Sequence, residues 1–73
     1  MAAIDVKTEV TGKVWKVVAK PGDKLAADDE IMILESMKME IPVVAPEAGT
    51  LKELSVAEGD AVTEDQVVAV VES

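Results

Sequence analysis

The chain has 73 residues, 15 acidic against 7 basic side chains and a formal charge of −8; 49% of it is hydrophobic, with Trp15 the one aromatic. A length like this holds one domain with a thin core, here residues 1–73, and the excess of acid argues against nucleic acid as a partner. With no Cys and no His there are no disulfides, thiol nucleophiles, imidazole bases or common zinc and iron sites, so neither a catalytic nor a metal centre is expected.

Residues 1–5 lack the basic region and apolar run of a signal peptide, and no later segment is long and apolar enough to cross a bilayer. A cytoplasmic protein without membrane contact is expected, in keeping with a small chain that has no disulfide staples. Residues 4–6 alternate in polarity as a half-buried strand does. After Gly12 the apolar positions are Val14, Val17 and Ala19. A regular strand has period two, so the three-residue step predicts a bulge. Pro21-Gly22-Asp23 marks a turn, and the acidic cluster at Asp28 marks another. Residues 31–34 are an apolar run suited to a strand inside a β core.

Glu35-Ser36-Met37-Lys38-Met39-Glu40 interrupts that run before polarity alternates again over 41–43. Two strands around a short polar break form a hairpin, with Lys38 near its tip. The features then recur: Gly49, the apolar positions Leu51, Leu54 and Val56, the turns at Gly59-Asp60 and Asp65, and an apolar run at 67–71. No window keeps helical spacing. The expected fold is all-β, two small antiparallel sheets face to face in a flattened barrel or sandwich.

A shift of 37 lays the second half on the first without a gap. Ile4 meets Ile41, Val6 meets Val43, Gly12 meets Gly49, Gly22-Asp23 meets Gly59-Asp60, and Glu35-Ser36 meets Glu72-Ser73. Such a repeat predicts quasi-symmetric halves that bury each other's apolar faces. It breaks at Met37-Lys38-Met39. Lys38 corresponds to position 1, so the hairpin and the chain ends should occupy equivalent poles, with the lysine free even in a fusion. An exposed alkylammonium is a poor nucleophile at neutral pH. Such a lysine needs an activated acyl donor and a dedicated ligase, and no second lysine or pocket equips it for Schiff-base chemistry.

Glu35-Ser36-Met37-Lys38-Met39-Glu40 resembles the attachment motif of biotin carboxyl carrier domains, whose core is Met-Lys-Met. Gly12, Pro21-Gly22-Asp23, Ala45-Pro46-Glu47-Ala48-Gly49-Thr50 and Glu58-Gly59-Asp60 extend the likeness over nearly the whole chain. The resemblance implies a flattened barrel of two four-stranded antiparallel sheets with pseudo-two-fold symmetry. It also implies biotin on Lys38, added by a biotin protein ligase, with Met37 and Met39 helping recognition. The arm would then carry carboxyl from a biotin carboxylase site to a carboxyltransferase site, which makes the chain a non-catalytic carrier. Ser36 stands where the family usually has Ala, a change expected to matter little. Asp28, matched by Asp65, stands where Gly is frequent, and Asp tolerates left-handed backbone. The span between Gly12 and Gly22 has no room for the protruding thumb of some acetyl-CoA carboxylase carriers.

Plainer readings exist for each residue. Most lysines are exposed and idle, and methionines commonly fill cores. The break in the repeat sets Lys38 apart, and Met37 and Met39, flanking a tip, cannot both be buried. Trp15 matches Lys52, which predicts a surface position. The run Asp28-Asp29-Glu30 lacks the spacing of a calcium loop and reads as a solvated turn. Glu35 and Glu40 read as hairpin surface. Two other functions fit the fold. A lipoyl carrier would take lipoate on the same lysine, but lipoyl motifs typically put Asp before and Ala after it. A cofactor-free β-sandwich interaction module would leave the break unexplained.

Overall fold

The computed structural model describes residues 2–73, which form eight β-strands: β1 Ala3–Lys7, β2 Gly12–Val17, β3 Lys24–Leu25, β4 Glu30–Ser36, β5 Met39–Val44, β6 Gly49–Leu54, β7 Ala61–Val62 and β8 Val67–Glu72. One sheet has the order β1-β8-β6-β3 and the other β5-β4-β2-β7, with every pair antiparallel. A shift of 37, added for β1 and β3 and subtracted for β6 and β8, converts one sheet into the other. Each sheet draws two strands from each half of the sequence. The two halves are quasi-symmetric, as the repeat predicts, and their strands are interleaved between the sheets, which the repeat alone does not reveal.

Position in the sheet explains the apolar runs. β4 and β8 have neighbours on both sides and supply much of the core, including Ile31, Met32, Leu34, Val68 and Val71, while β2 and β6 contribute Val14 and Leu51. Burying such a side chain contributes about 1.5–3 kcal/mol. The edge strands β1 and β5 keep the alternation of a half-buried strand, with Val6 and Val43 turned inward.

Bulges occur in matched places. The β2–β4 register skips Trp15 and the β6–β8 register skips Lys52, which accounts for the three-residue apolar step in both halves. A second pair, at Ile31 and Val68, has no counterpart in the sequence reading. A regular strand turns neighbouring side chains to opposite faces, and these bulges allow Ile31 and Met32, and likewise Val68 and Ala69, to be buried together.

The turns repeat to the level of single hydrogen bonds. Gly22 and Gly59 have φ of 98° and 91°, and Asp28 and Asp65 have φ of 71° and 67°. Gly22 N donates to Leu51 O at 2.8 Å, and Gly59 N to Val14 O at 2.7 Å. Asp29 Oδ2 accepts from Ala26 N at 2.9 Å, as Gln66 Oε1 does from Thr63 N at 2.9 Å. The acidic run at 28–30 therefore closes a turn. The predicted pairing of Lys38 with position 1 lies outside the described residues, but the adjacent pair is visible. Ser36 faces Met39, and in the other half Ser73 N donates to Ala2 O at 3.0 Å.

Candidate functional site

The β4–β5 hairpin closes with the pair Ser36–Met39, so its loop is two residues, Met37 and Lys38, with φ of 51° and 66°. Two successive positive φ values make a type I′ turn, whose twist matches that of the flanking strands. Asn-Gly is the usual sequence for such a turn. Here two side-chain-bearing residues are held left-handed, at about 1–2 kcal/mol each. The conformation projects the tip into solvent: Met37 is 92% exposed, Met39 63%, and Lys38 is exposed between them.

The base of the hairpin is fastened to its neighbours. Ser36 Oγ donates to Thr11 O at 2.8 Å, and Thr11 Oγ1 accepts from Glu64 N at 3.1 Å, which ties the hairpin to the turns before β2 and β8. Ser in place of Ala therefore does more than the sequence suggests, since it adds an anchor below the lysine. Gly12 lets β2 approach closely, because a Cβ there would collide with the carbonyl oxygen of Glu35. Thr11 escaped the sequence reading because no motif marks a residue that acts through its backbone carbonyl.

Around the tip, Glu35 lies opposite Glu40, and Lys13 lies opposite Glu35. All three are exposed. Among the described residues the one ion pair joins Lys52 Nζ to Glu72 Oε2 at 3.7 Å, so Lys38 is not held by a carboxylate. A cavity of about 310 Å³ opens between β1 and β5, lined by residues such as Val6, Thr8, Ile41 and Pro42, and a second lies beside Val18, Leu25 and Asp29. Lys38 borders neither. An amine on a fixed base, clear of walls and counter-ions, is suited to receiving an acyl group from another protein and bearing it on a free arm.

The structure brings Met37, Lys38 and Met39 together at one tip and sets Trp15, 51% exposed, on the strand beside that hairpin. Comparison with known proteins agrees with this geometry. The family model described as biotin-requiring enzyme, covering biotin and lipoyl domains, matches residues 2–72. The chain is 48% identical over 62 residues to the biotin/lipoyl attachment protein of Bacillus subtilis, covering 85% of each chain. It is 42% identical to a biotinylated protein TB7.3 homolog of Mycobacterium leprae, covering 94% of this chain and 97% of that one. It is also 44% identical to the succinyltransferase component of a 2-oxoglutarate dehydrogenase complex of Schizosaccharomyces pombe, named for its dihydrolipoyllysine residue, covering 90% of this chain and 14% of that protein. The urea carboxylase of Kluyveromyces lactis contains a segment that superposes with a TM-score of 0.93 at 36% identity, covering 99% of this chain and 6% of that one.

Proposed function

Because the chain belongs to the biotin-requiring enzyme family of biotin/lipoyl attachment domains, we propose that Lys38 is its attachment residue and biotin its cofactor. One observation carries this reading. The repeat is broken at a single two-residue turn, and that turn presents an unpaired lysine between two exposed methionines. An idle surface lysine has no need of a turn held in costly left-handed geometry. The biotinylated relative, which the chain spans almost end to end, supports biotin, as does the urea carboxylase segment.

When bound, biotin supplies the group that takes up carboxyl at a biotin carboxylase site and yields it at a carboxyltransferase site. The chain's own residues do the rest. Lys38 Nζ, deprotonated, attacks the activated acyl group that a biotin protein ligase would deliver. The bond from acyl carbon to activating group breaks as the amide forms, and the activating group and the second amine proton leave to the ligase and solvent. Acylation removes one positive charge, making the domain more acidic than its formal −8. Ser36 and Thr11 fix the base of the arm, so that the arm moves while the hairpin does not. Met37 and Met39 give partner enzymes an apolar grip beside the lysine. Catalysis stays with those partners, and a cytoplasmic location would place the domain with them.

Intact mass after co-expression with a biotin protein ligase tests the assignment. One biotin-sized increment is expected on the wild type and none on Lys38→Arg. An equal increment on the variant, or none on folded wild type, overturns it. The likeness to the dihydrolipoyllysine protein favours a second reading, lipoate on the same residue. A lipoyl increment with lipoate ligase and no biotin increment would establish that reading instead.

A further inference from the structure

The internal repeat allows one face of the molecule to be compared with its own double. On the sheet that bears the hairpin, Lys16, Ile33 and Pro42 form a row across β2, β4 and β5. The matching row on the other sheet is Glu53, Val70 and Asp5. Beside these rows stand Trp15 and Lys52, the matched bulge residues, and Val18 matches Ser55. At three of these positions, Trp15 against Lys52, Val18 against Ser55 and Pro42 against Asp5, a charged or polar residue on one sheet is apolar on the sheet with Lys38, while Lys16 and Glu53 are both charged and Ile33 and Val70 both apolar. Trp15 and Val18 are 51% and 50% exposed, so the core does not explain the exchange. Lys13 and Lys16 offset Glu35 and Glu40, which leaves this face near neutral in a strongly acidic chain.

We propose that this outer face, centred on Trp15 with Ile33 and Pro42, is the surface on which biotin protein ligase docks. The inference rests on Lys38 being the attachment residue. Two physical arguments select the occupant. Three strands about 4.8 Å apart and some six residues long span about 300 Å². A stable dimer needs about 800 Å² on each partner, so the face is too small to hold a second copy by itself. A transient partner that also covers the hairpin makes up the difference. Reach then separates the ligase from the carboxylase sites. Before loading, the lysine extends only its own stem, so the ligase must close on the turn itself. A footprint of about 800 Å² has a radius near 16 Å, and the Ile33–Pro42 row, three residues below the closing pair, lies about 13 Å along the strands from Lys38. A loaded arm is longer by the whole cofactor, and the enzymes it visits can stand further off. Trp is also among the residue types enriched at the energetic centres of such interfaces.

The test is steady-state biotinylation of the whole chain by biotin protein ligase, followed by mass, for wild type, Trp15→Lys, Pro42→Asp and Lys52→Ala. The first two variants copy residues that the other half carries at the same place in the same fold, and circular dichroism checks that each is folded. KM for the carrier is expected to rise at least about tenfold in Trp15→Lys and in the same direction in Pro42→Asp, with kcat unchanged, because docking away from the reacting amine contributes uniform binding. Lys52→Ala should load as wild type does. If Trp15→Lys fails to fold, Pro42→Asp gives the same reading. Wild-type loading with unchanged KM in both folded variants overturns the docking surface and leaves the attachment site standing. Absence of loading in the wild type overturns both. Normal loading combined with loss of a wild-type dimer in Trp15→Lys would assign the face to a second copy and also overturn the proposal.

Discussion

Met37 and Lys38 hold backbone angles that the chain elsewhere gives to Gly22, Gly59, Asp28 and Asp65. Those four residues suit left-handed backbone because glycine has no Cβ and the short polar side chain of Asp tolerates it. Met and Lys lack both advantages, so under the proposed attachment role the tip is a place where foldability and function pull apart. Met37→Asn should relieve the strain, since Asn is favoured at the first position of a type I′ turn. We expect a gain of about 1 kcal/mol, measured by urea unfolding, with slower loading of Lys38 as the apolar contact is lost. The place of the lysine at a hairpin tip was legible in the sequence, because a short polar segment there breaks the repeat. Its left-handed backbone was not, because no Gly or Asn announces the turn. The weight of Ser36 was likewise hidden, since its partner is a carbonyl 25 residues away.

At the scale of the strand, the matched glycines Gly12 and Gly49 set how closely the central strands approach the ends of β4 and β8. A Cβ on Gly49 would sit 2.6 Å from Glu72 O, and one on Gly12 would collide with Glu35 O. Since the obstacles are backbone, neither can swing aside. Gly12→Ala and Gly49→Ala should each destabilise by about 1–3 kcal/mol, read from denaturation midpoints. If Lys38 is the attachment residue, only Gly12→Ala should also slow loading, because only Gly12 packs beneath the hairpin that carries it. The bulges at Trp15 and Lys52 were legible from the three-residue apolar step. Those at Ile31 and Val68 were masked, because a strand that is apolar throughout gives no period to interrupt. The strands β3 and β7 escaped for a similar reason, as two residues are too few to show alternation.

At the scale of the molecule, sequence halves and structural halves do not coincide. Each sheet takes two strands from each repeat, so a peptide of residues 2–37 holds four strands of which only the β2–β4 pair meets its native neighbour. Such a peptide should give a disordered circular dichroism spectrum, and adding residues 38–73 should restore β signal in proportion to the complex formed. The interleaving also gives the Met37–Lys38 turn a particular meaning. Met37–Lys38 is the seam where one 37-residue length is sewn to the next, and the equivalent seam lies where Ser73 N donates to Ala2 O. Unpicking the first seam and sewing the second with a short linker would keep every strand pair and move the loop to the opposite sheet. On the proposed reading the lysine would occupy a join between two repeats, exposed and outside the core, where a residue can be chosen for its encounters with other molecules.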